Sequence, residues 1–221
     1  MTIKIAIDGP AGAGKSTVSK KLAKLLNYTY IDTGAMYRAI TYKALQKGIK
    51  FIEEDKISDI AQSTDITLEG EKIFLDGKDI SEEIRKPEVS EKVSLVSKIP
   101  KVREILVQKQ REIAKGKNVV MDGRDIGTVV LPDAQFKFFL TASLEERAKR
   151  RYRELKTKNV NVSYYEVVKE IENRDTIDSQ RETSPLKIAK DSIVIDTTYL
   201  SEEEVVEKLY NIIKEGLKGE I

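Results

Sequence analysis

Residues 9–17 have the sequence Gly9-Pro10-Ala11-Gly12-Ala13-Gly14-Lys15-Ser16-Thr17 and follow a largely apolar run, Ile3 to Ile7. Apolar residues recur at helical spacing after Thr17, which predicts the order strand, glycine-rich loop, helix. The spacing from Gly9 to Lys15 and Ser16 is that of a phosphate-binding loop, in which backbone N–H groups and a helix N-terminus surround an anion. The pattern therefore predicts an α/β fold whose first loop binds the phosphates of a nucleotide.

The chemistry of this loop depends on its residue types. Glycines allow positive φ angles and leave no Cβ to block an oxyanion. Lys15 supplies a movable positive charge, and the hydroxyl of Ser16 is a ligand for Mg²⁺. The loop alone leaves an ATPase, a GTPase and a kinase open, and a glycine-rich turn that merely joins a strand to a helix is the alternative without function. The predicted phosphate contacts are Gly9, Pro10, Ala11, Gly12, Ala13, Gly14, Lys15, Ser16 and Thr17.

The composition narrows the classes of partner and chemistry. The chain has 221 residues and a formal net charge of +2, which gives no electrostatic case for a nucleic acid or a membrane surface as partner. It has no cysteine, which excludes disulfides and thiolate metal sites, and no histidine, so any catalysis proceeds without imidazole. Since neither a signal peptide nor a long apolar span is visible, we expect a single cytoplasmic domain with small-molecule ligands.

Short apolar runs elsewhere in the chain have the length of buried strands. Together with Ile3–Ile7 they predict a central parallel five-stranded sheet flanked by helices. Between Asp65 and Ile80 the apolar period changes to two, which predicts a small antiparallel insertion. Helices are expected from Pro87 and from Val102. The further strands and the closing helix are Tyr28–Ile31, Val119–Met121, Phe136–Leu140, Ile193–Ile195 and Ser201–Leu217.

Charged residues follow the strand Val119–Met121 directly. In an open parallel sheet, ligands bind at the carboxyl ends of the strands, where the glycine-rich loop also lies. We therefore expect Asp122 to reach Mg²⁺ together with Ser16, and Arg124 to reach a phosphate. The alternative is a structural turn with an internal Arg124–Asp125 ion pair.

The region from Arg147 to Arg181 is rich in arginine, whose planar fork grips phosphate oxygens bidentately. Arg147, Arg150 and Arg151 share one helical face, either as a phosphate clamp or as a solvated helix with local ion pairs. In the next helix an apolar stripe continues at helical spacing into Arg174, Asp178 and Arg181. Charges on an inward face are costly unless a ligand neutralises them. The alternative is an ion-pair ladder on a helix that is turned to solvent.

A second phosphate-binding set is expected opposite the loop. Arg38 lies in the first turns of a predicted helix, where the helix dipole favours an anion, although a surface arginine beside a half-buried Tyr37 is equally compatible. Two phosphate sites that face each other favour a kinase for a small molecule, and a non-catalytic ATP-binding switch protein is the alternative. The set comprises Arg38, Arg124, Arg174 and Arg181.

The chain resembles the bacterial cytidylate kinases from end to end. The segments that carry the resemblance are GPAGAGKST from Gly9, DTGAMYRA from Asp32, PKVRE from Pro100, DGRDIGTVV from Asp122 and RDTIDSQRETSPL from Arg174. The resemblance implies transfer of a phosphoryl group from Mg-ATP to CMP or dCMP by a monomer. It also implies one domain, with a core at 1–32, 117–146 and 185–221, a monophosphate-binding lobe at about 33–116 that contains the antiparallel insertion, and a helical lid at about 147–161.

The resemblance further implies roles for individual residues. Cytosine contacts fall on Ser94, Arg103 and Asp125, and ribose contacts on Arg174 and Asp178. Contacts to the acceptor phosphate fall on Arg38, Arg124 and Arg181, with Thr33 and Tyr37 beside the nucleotide. UMP or another small acceptor is the alternative substrate. The catalytic residues are expected to be Lys15, Arg124, Arg147, Arg150, Arg151 and Arg181.

Overall fold

A five-stranded parallel sheet and a separate three-stranded antiparallel sheet organise the computed structural model, which describes residues 2–219. The parallel sheet has the strand order β2-β6-β1-β7-β8, and the antiparallel sheet has the order β3-β4-β5. In chain order, the strands are β1 (Lys4–Asp8), β2 (Thr29–Asp32), β3 (Ile66–Glu69), β4 (Lys72–Leu75), β5 (Lys78–Asp79), β6 (Val119–Gly123), β7 (Phe136–Thr141) and β8 (Ile193–Asp196).

Eight α-helices connect or cover these strands within the described residues. A short 3₁₀ helix at Glu83–Arg85 and a π-helical turn at Ile126–Val130 supplement them. In chain order, the helices are α1 (Lys15–Leu26), α2 (Thr33–Gln46), α3 (Glu54–Ser63), α4 (Pro87–Ser97), α5 (Pro100–Ala114), α6 (Leu144–Thr157), α7 (Tyr164–Gln180) and α8 (Glu202–Leu217).

The helix starts follow from local sequence chemistry. Asp32 caps α2 by accepting a hydrogen bond of 2.9 Å from the backbone N–H of Ala35. Ser163 and Ser201 each form a capping box with the glutamate three residues later, which fixes the first turns of α7 and α8. Proline occupies the first helical position of α4 and α5, where a missing N–H costs nothing.

Strand β1 lies at the centre of the parallel sheet, between β6 and β7. Its residues Ile5, Ala6 and Ile7 are fully buried, which explains the continuous apolar run. The strand register pairs Asp8 of β1 with Gly123 of β6 and Asp32 of β2 with Asp122 of β6. The carboxyl ends of β1, β2 and β6 therefore lie at the same edge of the sheet. The glycine-rich loop leaves β1 at that edge.

The antiparallel sheet belongs to a hydrophobic core of its own. This core extends from Ala35 to Leu106 and joins α2, α3, α4 and α5 to the small sheet. A different cluster, which includes Ile5 and Leu22, lies beneath α1 and α8. A third cluster joins α5 and the π-helical turn to β1, β2 and β6, and a small fourth one joins α6 to α7. Helix α5 therefore packs against both the core of the small sheet and the parallel sheet, whereas α6 and α7 form a cluster of their own.

The predicted parallel sheet and antiparallel insertion are confirmed, with strand ends shifted by one or two residues. Helix α3 has no counterpart in the sequence-based prediction. Its apolar residues Ile57, Ile60 and Ala61 form a narrow buried face between charged residues, which is a weak periodic signal. None of the helices within residues 2–219 is long and apolar enough to cross a membrane.

Gly9 leaves no space for a side chain, which generates a stability prediction. Its φ is +149°, and an added Cβ would lie 2.0 Å from the carbonyl oxygen of Leu140 in β7. We expect Gly9→Ala to lower the free energy of unfolding by about 3 kcal/mol, because the backbone of β7 has to move. Urea denaturation followed by circular dichroism measures this loss.

Gly48→Ala is the matched control. Gly48 has a φ of +64° but no atom within 4 Å of the added Cβ, so only backbone strain of about 1 kcal/mol is expected. Equal losses in the two variants would show that the close approach to β7 does not constrain Gly9.

Candidate active site

The glycine-rich loop has the backbone geometry of an anion site. Gly12 and Gly14 adopt φ angles of +74° and +84°, in the left-handed region that glycine tolerates. Gly14 precedes α1 and has no side chain to cap it, so the N–H groups of the first turn are available to a ligand. The buried ammonium of Lys15 donates a hydrogen bond of 2.7 Å to the carbonyl oxygen of Pro10. Burial lowers the pKa of Lys15, and the charge of Arg124 lowers it further.

The predicted metal ligands Ser16 and Asp122 are in contact. The Ser16 hydroxyl donates a hydrogen bond of 2.9 Å to one carboxylate oxygen of Asp122, and the hydroxyl of Tyr30 donates one of 2.8 Å to the other. Burial, followed by the charge of Asp32, raises the pKa of Asp122 to about 6. A carboxylate beside a second carboxylate is suited to a cation.

The donor set at Ser16 and Asp122 fits Mg²⁺. Hydroxyl and carboxylate oxygens are ligands that this ion accepts, and it commonly retains several waters and binds substrate phosphates. Within residues 2–219, no group of three or more Asp, Glu, His or Cys side chains could hold a metal ion. An ion bound here would therefore need phosphate oxygens and water to complete its coordination.

A large cleft, which we call the loop cleft, lies over the glycine-rich loop. It is lined by the loop residues Ala11 to Thr17, by Asp32 and by several arginines. Arg85, in the 3₁₀ helix, is one of them and carries no motif by which the sequence could have revealed it. The arginines of the loop cleft are Arg38, Arg85, Arg124, Arg150, Arg151 and Arg174.

A second cavity, which we call the arginine cavity, adjoins the loop cleft and shares Arg124 and Arg174 with it. The residues predicted to bind CMP line this cavity, with the exception of Arg38, which lines the loop cleft. Residues from α2, α4, α5, β6 and α7 thus meet in one place, although they are far apart in sequence. The predicted residues in the arginine cavity are Thr33, Tyr37, Ser94, Arg103, Arg124, Asp125, Arg174, Asp178 and Arg181.

One side of the arginine cavity is built on Arg103, which is only 2% exposed. Arg103 pairs with Asp125, donates a hydrogen bond of 3.0 Å to the carbonyl oxygen of Ser97 and lies 5.3 Å from the centre of the Tyr37 ring. Arg181 approaches the same carboxylate of Asp125 at 3.6 Å. Within residues 2–219, the Tyr37 hydroxyl, Arg103 Nε and Arg181 Nη2 are buried without a hydrogen-bond partner. Such groups fit a polar ligand.

The other side of the arginine cavity concentrates positive charge. Arg124 Nε donates a hydrogen bond of 2.8 Å to Asp178, which is 3% exposed. Burial lowers the pKa of Arg174 to about 9, and the neighbouring Arg124 and Arg38 contribute to the decrease. Like charges that are held together at a partly buried site fit an anion.

Two of the structural alternatives considered from the sequence are wrong. Arg124 pairs with Asp178 and Asp125 pairs with Arg103, so the two neighbours do not form an internal pair. Asp178 and Arg181 are 3% and 7% exposed, which excludes an ion-pair ladder on a helix face turned to solvent.

The three arginines of α6 have different environments. Arg150 lines the loop cleft and donates a hydrogen bond of 2.6 Å to the carbonyl oxygen of Thr197. Arg151 lines the same cleft and pairs with Glu154 at 2.8 Å. Arg147 is buried behind the loop, where Nη1 donates a hydrogen bond of 2.9 Å to the carbonyl oxygen of Ala11.

Two acidic residues next to the site, neither of which lines the two cavities, were not predicted from the sequence. Asp8 accepts hydrogen bonds of 2.8 and 2.7 Å from the backbone N–H groups of Ile126 and Gly127. Its place as a charged residue at the end of a buried strand was a usable signal. Asp175 accepts a hydrogen bond of 3.2 Å from the N–H of Ala11, a contact across 164 residues that no local pattern reveals.

The comparisons with known proteins identify the family of the chain. The family model described as "Cytidylate kinase" matches residues 5–215. The chain belongs to the cytidylate kinase family. It is 69% identical to a cytidylate kinase of Caldanaerobacter subterraneus subsp. tengcongensis, over 100% of this chain and 99% of the relative. It is 58% identical to a cytidylate kinase of Alkaliphilus oremlandii, over 96% of this chain and 98% of the relative.

A solved structure supports the fold independently. Shikimate kinase from Bacteroides thetaiotaomicron superposes with a TM-score of 0.50 at 14% identity, covering 96% of this chain and 98% of that one. At this identity the likeness concerns the fold alone, in which a parallel sheet carries a phosphate-binding loop and flanking helices.

Asp8 generates a prediction of pH-dependent stability. Burial raises its pKa from 3.8 to about 6. Because the folded state binds the proton more tightly than the unfolded state, Asp8 stabilises the fold below about pH 4, and this contribution is lost as the pH rises to 6. An increase of the pKa from 3.8 to about 6 corresponds to about 3 kcal/mol in the free energy of unfolding. We expect the stability advantage of the wild type over Asp8→Asn to shrink by up to about this amount between pH 4 and pH 7.5.

Urea denaturation of both proteins at each pH measures this difference, and the background pH dependence cancels. The control is Asp191→Asn, because hydrogen bonding to Lys137 lowers the pKa of this exposed carboxyl, so no such decrease is expected. A difference for Asp8 that is constant or grows with pH would contradict the prediction.

Proposed function

We propose that this protein transfers the γ-phosphoryl group of Mg-ATP to CMP or dCMP, giving ADP and CDP or dCDP. One observation carries the proposal: the arginine cavity adjoins the phosphate-binding loop cleft and contains the Arg103–Asp125 pair. Membership of the cytidylate kinase family supports the same activity. The loop cleft is then the ATP site, and the arginine cavity is the acceptor site.

Charge supports a nucleoside monophosphate as the acceptor. Four guanidinium groups and two carboxylates line the arginine cavity, a formal excess of two positive charges. A phosphate monoester carries about 1.5 to 2 negative charges at pH 7. Its phosphate is proposed to contact Arg38, Arg124 and Arg181, close to the arginines that the two cavities share.

The Arg103–Asp125 pair is proposed to select cytosine, with Ser94 beside it. Cytosine presents an amino donor next to acceptors at N3 and O2, which a carboxylate and a guanidinium complement. Uracil presents an N–H and a carbonyl oxygen instead, so it would leave buried groups unpaired. On the ribose side, Asp178 is suited to accept hydrogen bonds from sugar hydroxyls, and Arg174 lies beside it in the cavity.

The proposed reaction needs no general base. The attacking atom is an oxygen of a phosphate that is already ionised at pH 7, so the absence of histidine is no obstacle. The chain contributes alignment and positive charge: Lys15 and the loop N–H groups hold the donor phosphates, and Arg124 lies between the two cavities, beside the migrating group.

Ser16 and Asp122 are proposed to hold Mg²⁺ when ATP is bound. The ion would neutralise charge on the donor phosphates.

Closure around both substrates is proposed to exclude water. The segment at about 147–161 is suited to move, because α6 packs with α7 in a small hydrophobic cluster of its own. The lobe at about 33–116 has its own core and meets the parallel sheet through α5, and it is proposed to close over CMP. Arg150 and Arg151 line the loop cleft and are the candidates to approach the donor phosphates. Since all these groups come from one chain, a monomer suffices for the reaction.

A panel of acceptors tests the proposed function. Purified protein with Mg-ATP and CMP, dCMP, UMP, AMP or shikimate is assayed for ADP release, and we expect the highest kcat/KM with CMP or dCMP. Lys15→Ala is expected to lose about 100-fold or more in kcat, because the charge on the donor phosphates in the transition state loses a hydrogen-bond donor. Lys24→Ala, at an exposed position of the same helix, is the control. ATP binding without acceptor-dependent turnover would indicate a switch protein instead.

Asp125→Asn tests the selection of cytosine. The variant keeps the shape of the side chain but removes the negative charge between Arg103 and Arg181. We expect kcat/KM for CMP to fall by about 100-fold, since a charged hydrogen bond to the base is lost, while the KM for ATP changes little.

Thermal denaturation of Asp125→Asn separates this effect from loss of fold, because two buried arginines lose their counter-ion. Asp55→Asn, on the exposed face of α3, is the matched control. An equal loss of activity with CMP, UMP and AMP would contradict the role in base selection.

A further inference from the structure

Helix α7 contacts both sites with adjacent residues. Arg174 and Asp178 line the arginine cavity. Asp175, between them in sequence, points to the glycine-rich loop and accepts a hydrogen bond of 3.2 Å from the N–H of Ala11 through Oδ1. One turn of one helix therefore touches the loop on one side and the arginine cavity on the other.

Arg147 completes this contact. Its Nη1 donates a hydrogen bond of 2.5 Å to Asp175 Oδ2 and one of 2.9 Å to the carbonyl oxygen of Ala11. Its Nε donates one of 3.0 Å to the carbonyl oxygen of Ala142 at the end of β7. The N–H and the carbonyl of Ala11 are thus both bound to one ion pair. The side chains of the pair are 9% and 24% exposed, so solvent screening is limited.

The charge of Asp175 is compatible with a nearby polyphosphate only because Arg147 neutralises it. An unpaired carboxylate beside the loop would repel an anion. The described residues that line the two cavities include Ala11, Arg174 and Asp178 but not Asp175. Asp175 therefore acts through its neighbours and is suited to hold the loop and α7 in a fixed relative position.

We propose that Asp175 is a positioning residue that couples the two substrate sites, so that binding of a nucleoside triphosphate in the loop cleft strengthens binding of the nucleoside monophosphate in the arginine cavity. This inference rests on the proposed function. Phosphates bound in the loop cleft hold Ala11 in place, and both backbone groups of Ala11 are bonded to the Asp175–Arg147 pair. This pair fixes the position of α7, which places Arg174 and Asp178 in the arginine cavity. The coupling is reciprocal, because it is a free energy shared by the two sites.

Calorimetric titration measures this coupling in the full-length protein. The dissociation constant of CMP is measured alone and with a saturating non-hydrolysable ATP analogue plus Mg²⁺. We expect the analogue to tighten CMP binding by about fivefold or more in the wild type. In Asp175→Ala the factor is expected to fall below about twofold, while the affinity for CMP alone changes by less than about twofold because Asp175 does not line the cavity.

Two further variants make the test specific. Asp175→Asn keeps an oxygen that can accept from the Ala11 N–H, so it should retain more coupling than alanine. Glu172→Gln, on the exposed face of the same helix, should behave as the wild type. Thermal denaturation verifies that each variant is folded at the temperature of the titration.

The outcomes separate this inference from the proposed function. A wild type that neither binds nor phosphorylates CMP would overturn both. Three results would overturn the coupling role alone in a protein that phosphorylates CMP: no coupling in the wild type, coupling retained in Asp175→Ala, or an equal loss of CMP affinity with and without the ATP analogue. Loss of coupling in alanine with partial retention in asparagine supports it.

Discussion

Positive charge exceeds negative charge where the loop cleft meets the arginine cavity, and the arrangement of the other parts depends on this excess. Arg124 and Arg174 line both cavities, and the carboxylates of Asp125 and Asp178 balance only part of the guanidinium charge around them. Held together away from bulk water, such groups repel one another, and the charges of Arg124 and Arg38 add to burial in lowering the pKa of Arg174. A phosphate-bearing ligand removes this cost, so the unbound site is preorganised for anions.

The fold supplies these charges from rigid elements. Asp8, Asp32 and Asp122 end adjacent parallel strands, so their carboxylates are fixed by sheet register. The arginines come from helices on different hydrophobic cores and from the turn after β6. Because α6 and α7 form a hydrophobic cluster apart from the sheet, the arginines of α6 are suited to the proposed approach to the donor phosphates without distortion of the sheet. Since α7 packs with α6 rather than with the sheet, the contact of Asp175 with the glycine-rich loop is proposed to hold α7 in a fixed position relative to the loop.

Sequence periodicity was sufficient for the parallel sheet and the glycine-rich loop, because both signals are local. It also placed charges at the carboxyl end of β6 and on the inward face of α7. It could not assign partners: Arg124 pairs with Asp178, 54 residues away, rather than with the adjacent Asp125. Asp175 was missed because its partner Ala11 lies 164 residues away, in a different element. Such pairings depend on distances between elements, which local patterns do not contain.

The preference for arginine over lysine around the acceptor site has a physical reason. Burial and then the charge of Arg124 lower the pKa of Lys15, and burial with the charges of Arg124 and Arg38 lowers the pKa of Arg174 to about 9, at which a guanidinium stays charged at neutral pH. A buried site whose carboxylates balance only part of its positive charge, as the proposed phosphate site does, requires groups that keep their proton when buried. Lys15 differs in geometry, because its ammonium donates to the carbonyl oxygen of Pro10 within the loop and is a compact, flexible donor rather than a planar fork.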